Sequence, residues 1–343
     1  LNFTSSINIK KTVMNSFGVV FRVSVFGESH GCVTGVTIDG CPPGIAIKPE
    51  DFIPDLSRRK SGSAGTTKRH EGDLPEILSG VYNGYSTGSP MTIVTRNKDT
   101  DSTAYIEFAD IPRPGHTDYT ANIKYHGFSD MRGSGHFSGR ITWGLVIAGV
   151  IAKKLTSQME ISAKLISAGG SDNIEDAVKE AIAKDDTIGG IIECVVKNPP
   201  RGLGEPFFYS IESALSHIIF SIPAIKGIEF GSGFASASMR GSEHNDPFID
   251  ESGKTATNNA GGINGGISNG NDIIFRVAIK PTSSTGVEQK TFNFKKKMMQ
   301  ILKIKGRHDT CIALRIPVIL EAAAAITITD LMMIDRSIFE VRP

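Results

Sequence analysis

The chain has 343 residues, with 37 Lys or Arg against 36 Asp or Glu, a formal net charge of +1. That balance gives no global field to draw the protein to nucleic acid or to an anionic membrane. The length is enough for one large or two ordinary domains with a substantial core.

Residues 1–13 are polar and lack the apolar core of a secretory leader. They are expected to be a disordered N-terminal extension, with Met14 as the natural start and 14–343 as a single domain. Val19, Val20, Phe21, Val23 and Val25 predict a strand, and residues 33–38 a second. Between them lies Phe26-Gly27-Glu28-Ser29-His30-Gly31, where two glycines bracket an acid, a hydroxyl and an imidazole. His30 is the side chain there that exchanges a proton near neutral pH. On the hexamer alone, a polar hairpin tip with a solvated histidine remains an open alternative.

Pro42-Pro43-Gly44 closes the second strand. A helix is predicted from Pro49-Glu50-Asp51 to Lys60, with proline in its first turn and acids at the positive end of its dipole. Residues 61–73 are glycine-rich and basic, with Lys68, Arg69 and His70; they read as a mobile loop suited to an anion, or as a solvated charged face. Strands at 76–82 and 91–96 are joined through Gly84-Tyr85-Ser86-Thr87-Gly88. The same G-x-S-x-G pattern recurs at Gly266-Ile267-Ser268-Asn269-Gly270, before a strand at 272–279. A hydrolase nucleophile elbow needs a helix after its serine. A strand follows both copies, so they read as a hairpin device and a sign of internal duplication.

The long loop at 97–118 presents Arg113-Pro114-Gly115-His116. Long loops of this kind are commonly functional. Arg132 to Arg140 reads Arg-Gly-Ser-Gly-His-Phe-Ser-Gly-Arg and leads into an apolar helix at 141–155, buried on most sides. Free N–H groups of the Gly-Ser-Gly turn, with Ser138 able to cap, make an anion site. No strand clearly precedes it, so it is not a dinucleotide fingerprint. Further on, strands at 161–167 and 190–197 flank a helix at 173–184. A helix at 211–220 ends at Ser221-Ile222-Pro223-Ala224. Residues 231–270 are rich in glycine and asparagine, and Gly253-Lys254-Thr255 lacks the first glycine of a P-loop, because Phe248 stands there.

The strand at 272–279 ends at Lys280-Pro281-Thr282-Ser283-Ser284, a lysine and hydroxyls able to hold a phosphate or the polar edge of a flavin. Gly306-Arg307-His308-Asp309-Thr310-Cys311 then runs into an apolar helix through Ala322–Ala325 and Met332. Arginine there binds an anion, and the carboxylate orients a base or accepts a proton. The four cysteines, Cys32, Cys41, Cys194 and Cys311, form no Cys-x-x-Cys pair, which fits reduced thiols in a cytosolic protein. The longest apolar run, 145–152, is too short to span a bilayer.

In this order and spacing the hexamer at 26–31, Arg113-Pro114-Gly115-His116, the stretch 135–140, the Lys280 loop and the 306–311 segment resemble the chorismate synthase family over residues 17–340. The resemblance implies an α+β fold, a β-α-β sandwich with internal pseudo-symmetry, assembled as a cytoplasmic homotetramer. The reaction it implies is the last step of the shikimate pathway. Phosphate leaves 5-enolpyruvylshikimate 3-phosphate by 1,4-trans elimination to give chorismate. Reduced FMN is required without net redox change, NADPH serves only to reduce the flavin, and the reductase can be external. No metal, nucleic acid or membrane is implied. A flavin- or phosphate-binding homologue without turnover is the alternative.

By position, the resemblance makes His30 the acid for the leaving phosphate. It puts His116 beside the flavin pyrimidine edge and gives Asp309, with Ser29, the proton relay from flavin N5. Arg59, Arg113, Arg140 and Arg307 become anion-binding arginines. His136, Phe137, Ser138, Pro223, Ala224, Gly265, Lys280, Pro281, Thr282, Ser283, Ser284 and Arg307 become flavin contacts. The family pattern has arginine at the position of Lys60 and near Gly65, and at His136. Arg69 is the expected replacement for the arginine missing near Gly65.

Overall fold

The structure, a computed structural model, describes residues 15–62, 64–67, 72–98, 102–304 and 308–338. The N-terminal extension at 1–13 lies outside them. The first half runs β1 (Ser16–Phe17), β2 (Arg22–Gly27), β3 (Val33–Asp39), α1 (Ile53–Arg59), β4 (Glu76–Ile77), the hairpin β5–β6 (Val81–Tyr82, Tyr85–Ser86), β7 (Met91–Arg96), α2 (Asp118–Lys124) and α3 (Thr142–Leu155). The second half runs β8 (Glu160–Ala168), α4 (Ile174–Ala183), β9 (Gly190–Lys197), α5 (Ile211–Phe220), β10 (Ile225–Phe230), α6 (Gly241–His244), the hairpin β11–β12 (Ile263–Asn264, Ile267–Ser268) and β13 (Ile273–Ile279). It closes with the hairpin β14–β15 (Gln289–Asn293, Met298–Leu302) and α7 (Pro317–Ile338).

Two antiparallel sheets enclose the central helices. One has the order β1-β2-β3-β7-β4 and the other β8-β9-β13-β10. In the first, Val36 pairs with Val25 and Ile93, and Ile38 with Val23 and Met91, so one face carries a continuous apolar patch. In the second, Phe275 pairs with Cys194, Val277 with Ile192 and Ile273 with Val196. α3 packs on the first sheet and α7 on the second, and the two helices pack on each other. Both are apolar nearly all round, as helices covered on every side must be. α7 is long and apolar enough to cross a membrane by length and composition, but 83% of its most apolar window is buried inside the fold, the mark of a core helix.

The helices meet closely because Gly149 of α3 has no side chain. A Cβ there would lie 2.3 Å from the Cβ of Ala322 in α7. At the other end of the core, the Asp330 carboxylate of α7 accepts hydrogen bonds from the backbone N–H groups of Val19, Val20 and Phe21 at 2.8–3.0 Å, tying the β1–β2 turn to the helix.

The halves repeat each other in detail. β2-β3-β7-β4 matches β8-β9-β13-β10 in order, and α3 matches α7. The two G-x-S-x-G serines are equivalent. Ser86 Oγ donates to the Pro42 carbonyl at 2.6 Å and accepts from Ile45 N–H at 2.9 Å. Ser268 Oγ donates to the Pro200 carbonyl at 2.5 Å and accepts from Leu203 N–H at 2.9 Å. Both serines are buried, so each hydroxyl locks a hairpin onto a proline turn and neither serves as a nucleophile. The α+β class and internal pseudo-symmetry hold. The strand expected at 76–82 is broken into β4 and β5, because Ser79-Gly80 bends the chain between them. β10 and the β14–β15 hairpin add strands where none was expected.

Candidate active site

α3 and α7 begin side by side, and a cleft of about 910 Å³ opens over their N-terminal ends. The positive end of each macrodipole favours an anion there. Side chains add to this. Among the described lining residues, seven are Lys or Arg and two are carboxylates, Asp73 and Asp309.

Arg140 and Arg315 stand at equivalent positions, each two residues before a central helix. Arg140 Nη1 donates to Asp73 at 2.6 Å and its Nε to Asn97 Oδ1 at 2.6 Å. Arg315 Nη1 donates to Asp309 at 3.1 Å and its Nε to the Arg59 carbonyl at 3.0 Å. Arg59 lies between them, buried, donating to Asp73 and to the carbonyls of Gly139 and Arg140. Burial, with Arg315 and Arg140 close by, pushes Arg59 down to about 9, so it stays charged at neutral pH. Burial pushes Asp73 up, but Arg59 and Arg140 outweigh it and hold the carboxyl below its usual range. Asp309 also accepts from Thr67 N–H at 2.8 Å.

A second network surrounds His116. Arg113 is buried and grips Asp118 with Nε at 2.7 Å and Nη2 at 2.8 Å. Its guanidinium lies over the Phe108 ring, 4.4 Å from the centroid, and Nη1 donates to Ser284 at 3.1 Å. Like Arg59 and Arg140, Arg113 thus reaches the cleft wall with a buried carboxylate as its partner. Burial pushes Asp118 up, yet hydrogen bonds from Arg113 and His116 outweigh this and keep it ionised well below the usual range. His116 Nδ1 therefore donates to Asp118 at 2.6 Å, and Nε2 is left to accept from Ser134 Oγ at 3.2 Å. Ser134 sits at φ +70° in the Gly-Ser-Gly turn, which turns its hydroxyl toward His116. The result is a serine–histidine–aspartate relay with its serine on the cleft wall.

Burial drives His116 below its ordinary value; Asp118 opposes this, and Arg113 and Lys280 add to it. A depressed histidine means that the unfolded chain binds the proton more tightly. The stability contribution is therefore full above the ordinary value of about 6.5 and is lost as pH falls from there through the folded value. In a ¹⁵N-histidine titration, the resonance missing from His116→Gln should show a midpoint below that of free histidine. A midpoint at or above it would contradict a neutral imidazole.

His30 and Ser29 lie one layer behind the cleft surface. A Cβ on Gly133 would stand 2.5 Å from His30 Nε2 and 2.8 Å from Ser29 Oγ, so this glycine's bareness brings their edge to the wall. The expected flavin contacts are mostly assembled. His136, Phe137, Ser138, Pro223, Ala224 and the Lys280–Ser284 loop all line the cleft. Lys280 Nζ donates to Ser283 Oγ at 2.6 Å and Ser283 Oγ to the Gly115 carbonyl at 2.7 Å, so this loop docks on the turn carrying His116. Gly265 is the exception: it turns the β11–β12 hairpin at φ +60° and does not line the cleft. Arg69 and Arg307 lie outside the described residues. Asp73, Asp118, Ser134 and Arg315 were not singled out from the sequence. His-x-Asp spacing signals Asp118, and the internal repeat signals Arg315 as the counterpart of Arg140.

A cationic cleft at two helix N-termini, with a proton relay in its wall, defines an enzyme that handles an anionic small molecule. The family model described as Chorismate synthase matches residues 21–333. A curated protein named Chorismate synthase from Chitinophaga pinensis is 57% identical over 324 residues, covering 94% of this chain and 98% of that protein. One from Thermococcus kodakarensis is 41% identical over 347 residues, 93% of this chain and 98% of its own. A solved structure described as Crystal Structure of Chorismate Synthase superposes with TM-score 0.71 at 25% identity, over 93% of each chain. The chain belongs to the chorismate synthase family.

Proposed function

We propose that the chain converts 5-enolpyruvylshikimate 3-phosphate to chorismate by 1,4-trans elimination of phosphate, as a carbon–oxygen lyase dependent on reduced FMN. The observation that carries this reading is the Arg59–Arg140–Arg315 cluster at the two helix N-termini, beside the His116 relay. A substrate with two carboxylates and a phosphate needs fixed cations in excess of acids, and cannot be held by a neutral pocket.

FMN fits the residues present. Thr282 Oγ1 is buried without a hydrogen-bond partner among the described residues, in the loop expected to hold the flavin edge. A buried hydroxyl left alone is costly, and a polar ligand atom would satisfy it. Ile218, Ile222, Ile312 and Ile316 supply an apolar wall for a ring system. Held by the Lys280–Ser284 loop and this wall, reduced flavin would supply electron density for C–O cleavage without net redox change.

The remaining roles belong to the chain. Arg59, Arg140 and Arg315 orient the anionic groups, with Arg69 and Arg307 as further candidate cations. His30 gives the departing phosphate a proton, and Asp309, with Ser29, relays onward the proton that leaves the substrate ring. His116, its Nδ1 proton held by the ionised Asp118, accepts a proton at Nε2 through Ser134, and the carboxylate offsets the imidazolium that forms. The homotetramer, a cytoplasmic setting and NADPH as flavin reductant, directly or through an external reductase, belong to the same proposal. An anaerobic assay with the phosphorylated substrate tests it: chorismate should appear only when FMN is supplied reduced. Turnover with oxidised FMN, no reductant and no light would sink the mechanism.

A further inference from the structure

The segment from Ser102 to Ile111 crosses above His30 and carries a short 3₁₀ helix, Thr103–Ala109. Ser102 stands at the N-cap of that helix. A serine there ordinarily accepts a hydrogen bond from one of the first free N–H groups. Here the side chain makes no capping bond. Its Oγ lies instead 2.8 Å from His30 Nδ1. Three residues on, Tyr105 sets its ring edge-on to the imidazole, with centroids 5.4 Å apart and planes at 82°.

The strap is anchored independently of His30. Phe108 and Ile111 join Leu302 and Ile304 in a small core separate from the main one, with Tyr105 packed against it. Phe294 N–H donates to the Asp110 carbonyl at 2.9 Å, and Lys295 pairs with the Asp110 carboxylate at 3.1 Å, so the β14–β15 hairpin holds the strap down. Its position does not depend on His30, and it can therefore hold His30 in turn.

We propose that Ser102 is a positioning residue for His30, its hydroxyl pinning Nδ1 so that the Nε2 edge is turned to Gly133 and the cleft. With the Tyr105 ring set at right angles to the imidazole, this fixes the plane of the ring, and a hydroxyl that donates to Nδ1 also places the ring proton on Nε2. The role of His30 in turnover rests on the reading above; the Ser102–His30 contact does not.

Both parts are tested on the full chain. Long-range ¹H–¹⁵N spectra of histidine-labelled protein, with His30→Gln to identify the resonance, should show one His30 tautomer in the unaltered protein and a mixture in Ser102→Ala. Ser102→Cys, nearly isosteric but a weak hydrogen bonder, should also loosen the tautomer and serves if the alanine variant does not fold. In steady state, Ser102→Ala should lower kcat about 10- to 100-fold, the scale of a misplaced catalytic group, with KM within about twofold. Ser102→Thr should restore most of it, and Ser102→Ala should add nothing to His30→Ala. Unchanged His30 signals in folded Ser102→Ala or Ser102→Cys would overturn the proposal, as would additive effects in the double variant. If the unaltered protein makes no chorismate, the functional reading fails, and the spectra still decide the contact.

Discussion

Replacing His116 with alanine should lower kcat by about 10²- to 10⁴-fold, the usual contribution of a positioned acid or base, while flavin binding weakens far less. The imidazole is held from both sides, by Asp118 at Nδ1 and by Ser134 at Nε2. Its loss removes the middle of the relay, while the Lys280–Ser284 loop keeps its contacts to the Gly115 carbonyl. Asp118→Asn should approach the same loss in kcat, because an amide no longer fixes the Nδ1 proton and the three groups act as a unit. It should also destabilise the fold, since Arg113 loses its buried counter-charge. A near-normal kcat in His116→Ala, with substrate and reduced FMN saturating, would make this histidine a structural one.

The largest effect on stability is expected at Glu321. This residue is buried in α7, receives both Arg58 guanidinium nitrogens at 2.6 and 2.7 Å and Lys153 at 3.0 Å, and accepts from Ala163 N–H at 3.0 Å. It joins α1, α3 and β8 to the central helix through one carboxylate. Glu321→Ala should cost about 3 kcal/mol, the low end for breaking a buried pair, because Arg58 is half-exposed and both cations retain Asp55. Burial pushes Glu321 up, but Arg58 and Lys153 outweigh it and hold its pKa below the ordinary value. Its contribution is then present above the unfolded glutamate value of about 4.3 and is lost as pH falls through the folded value. Denaturant midpoints at neutral pH, compared with those in acid, check both points. An unchanged midpoint at neutral pH would contradict the role given to the carboxylate.

Local chemistry explains which parts were legible in the sequence. β7, β9 and α5 have the expected bounds, because their patterns are unbroken and their starts are marked by Pro90, Gly190 and the capping Ser210. α3 was readable from its apolar faces. The β14–β15 hairpin was not, since Lys295-Lys296-Lys297 interrupts its apolar residues at the turn. In the site, His30 and His116 stood out because glycine and proline surround them. Asp73 did not: its partners Arg59 and Arg140 are 14 and 67 residues away along the chain. Asp118 is nearer to hand, five residues from Arg113 and two from His116, so that ion pair is readable from local spacing.

The close crossing of α3 and α7 has a consequence for selectivity. Gly149 lies about two helical turns beyond the start of α3, where it sets how near the two helices approach. Arg140 and Arg315 ride on the ends of those helices. The separation of the two guanidiniums therefore depends on a missing methyl group deep in the core, outside the cleft lining. A family of such proteins could retune the length of anion it accepts by altering one small residue at that crossing, with every side chain in the cleft unchanged.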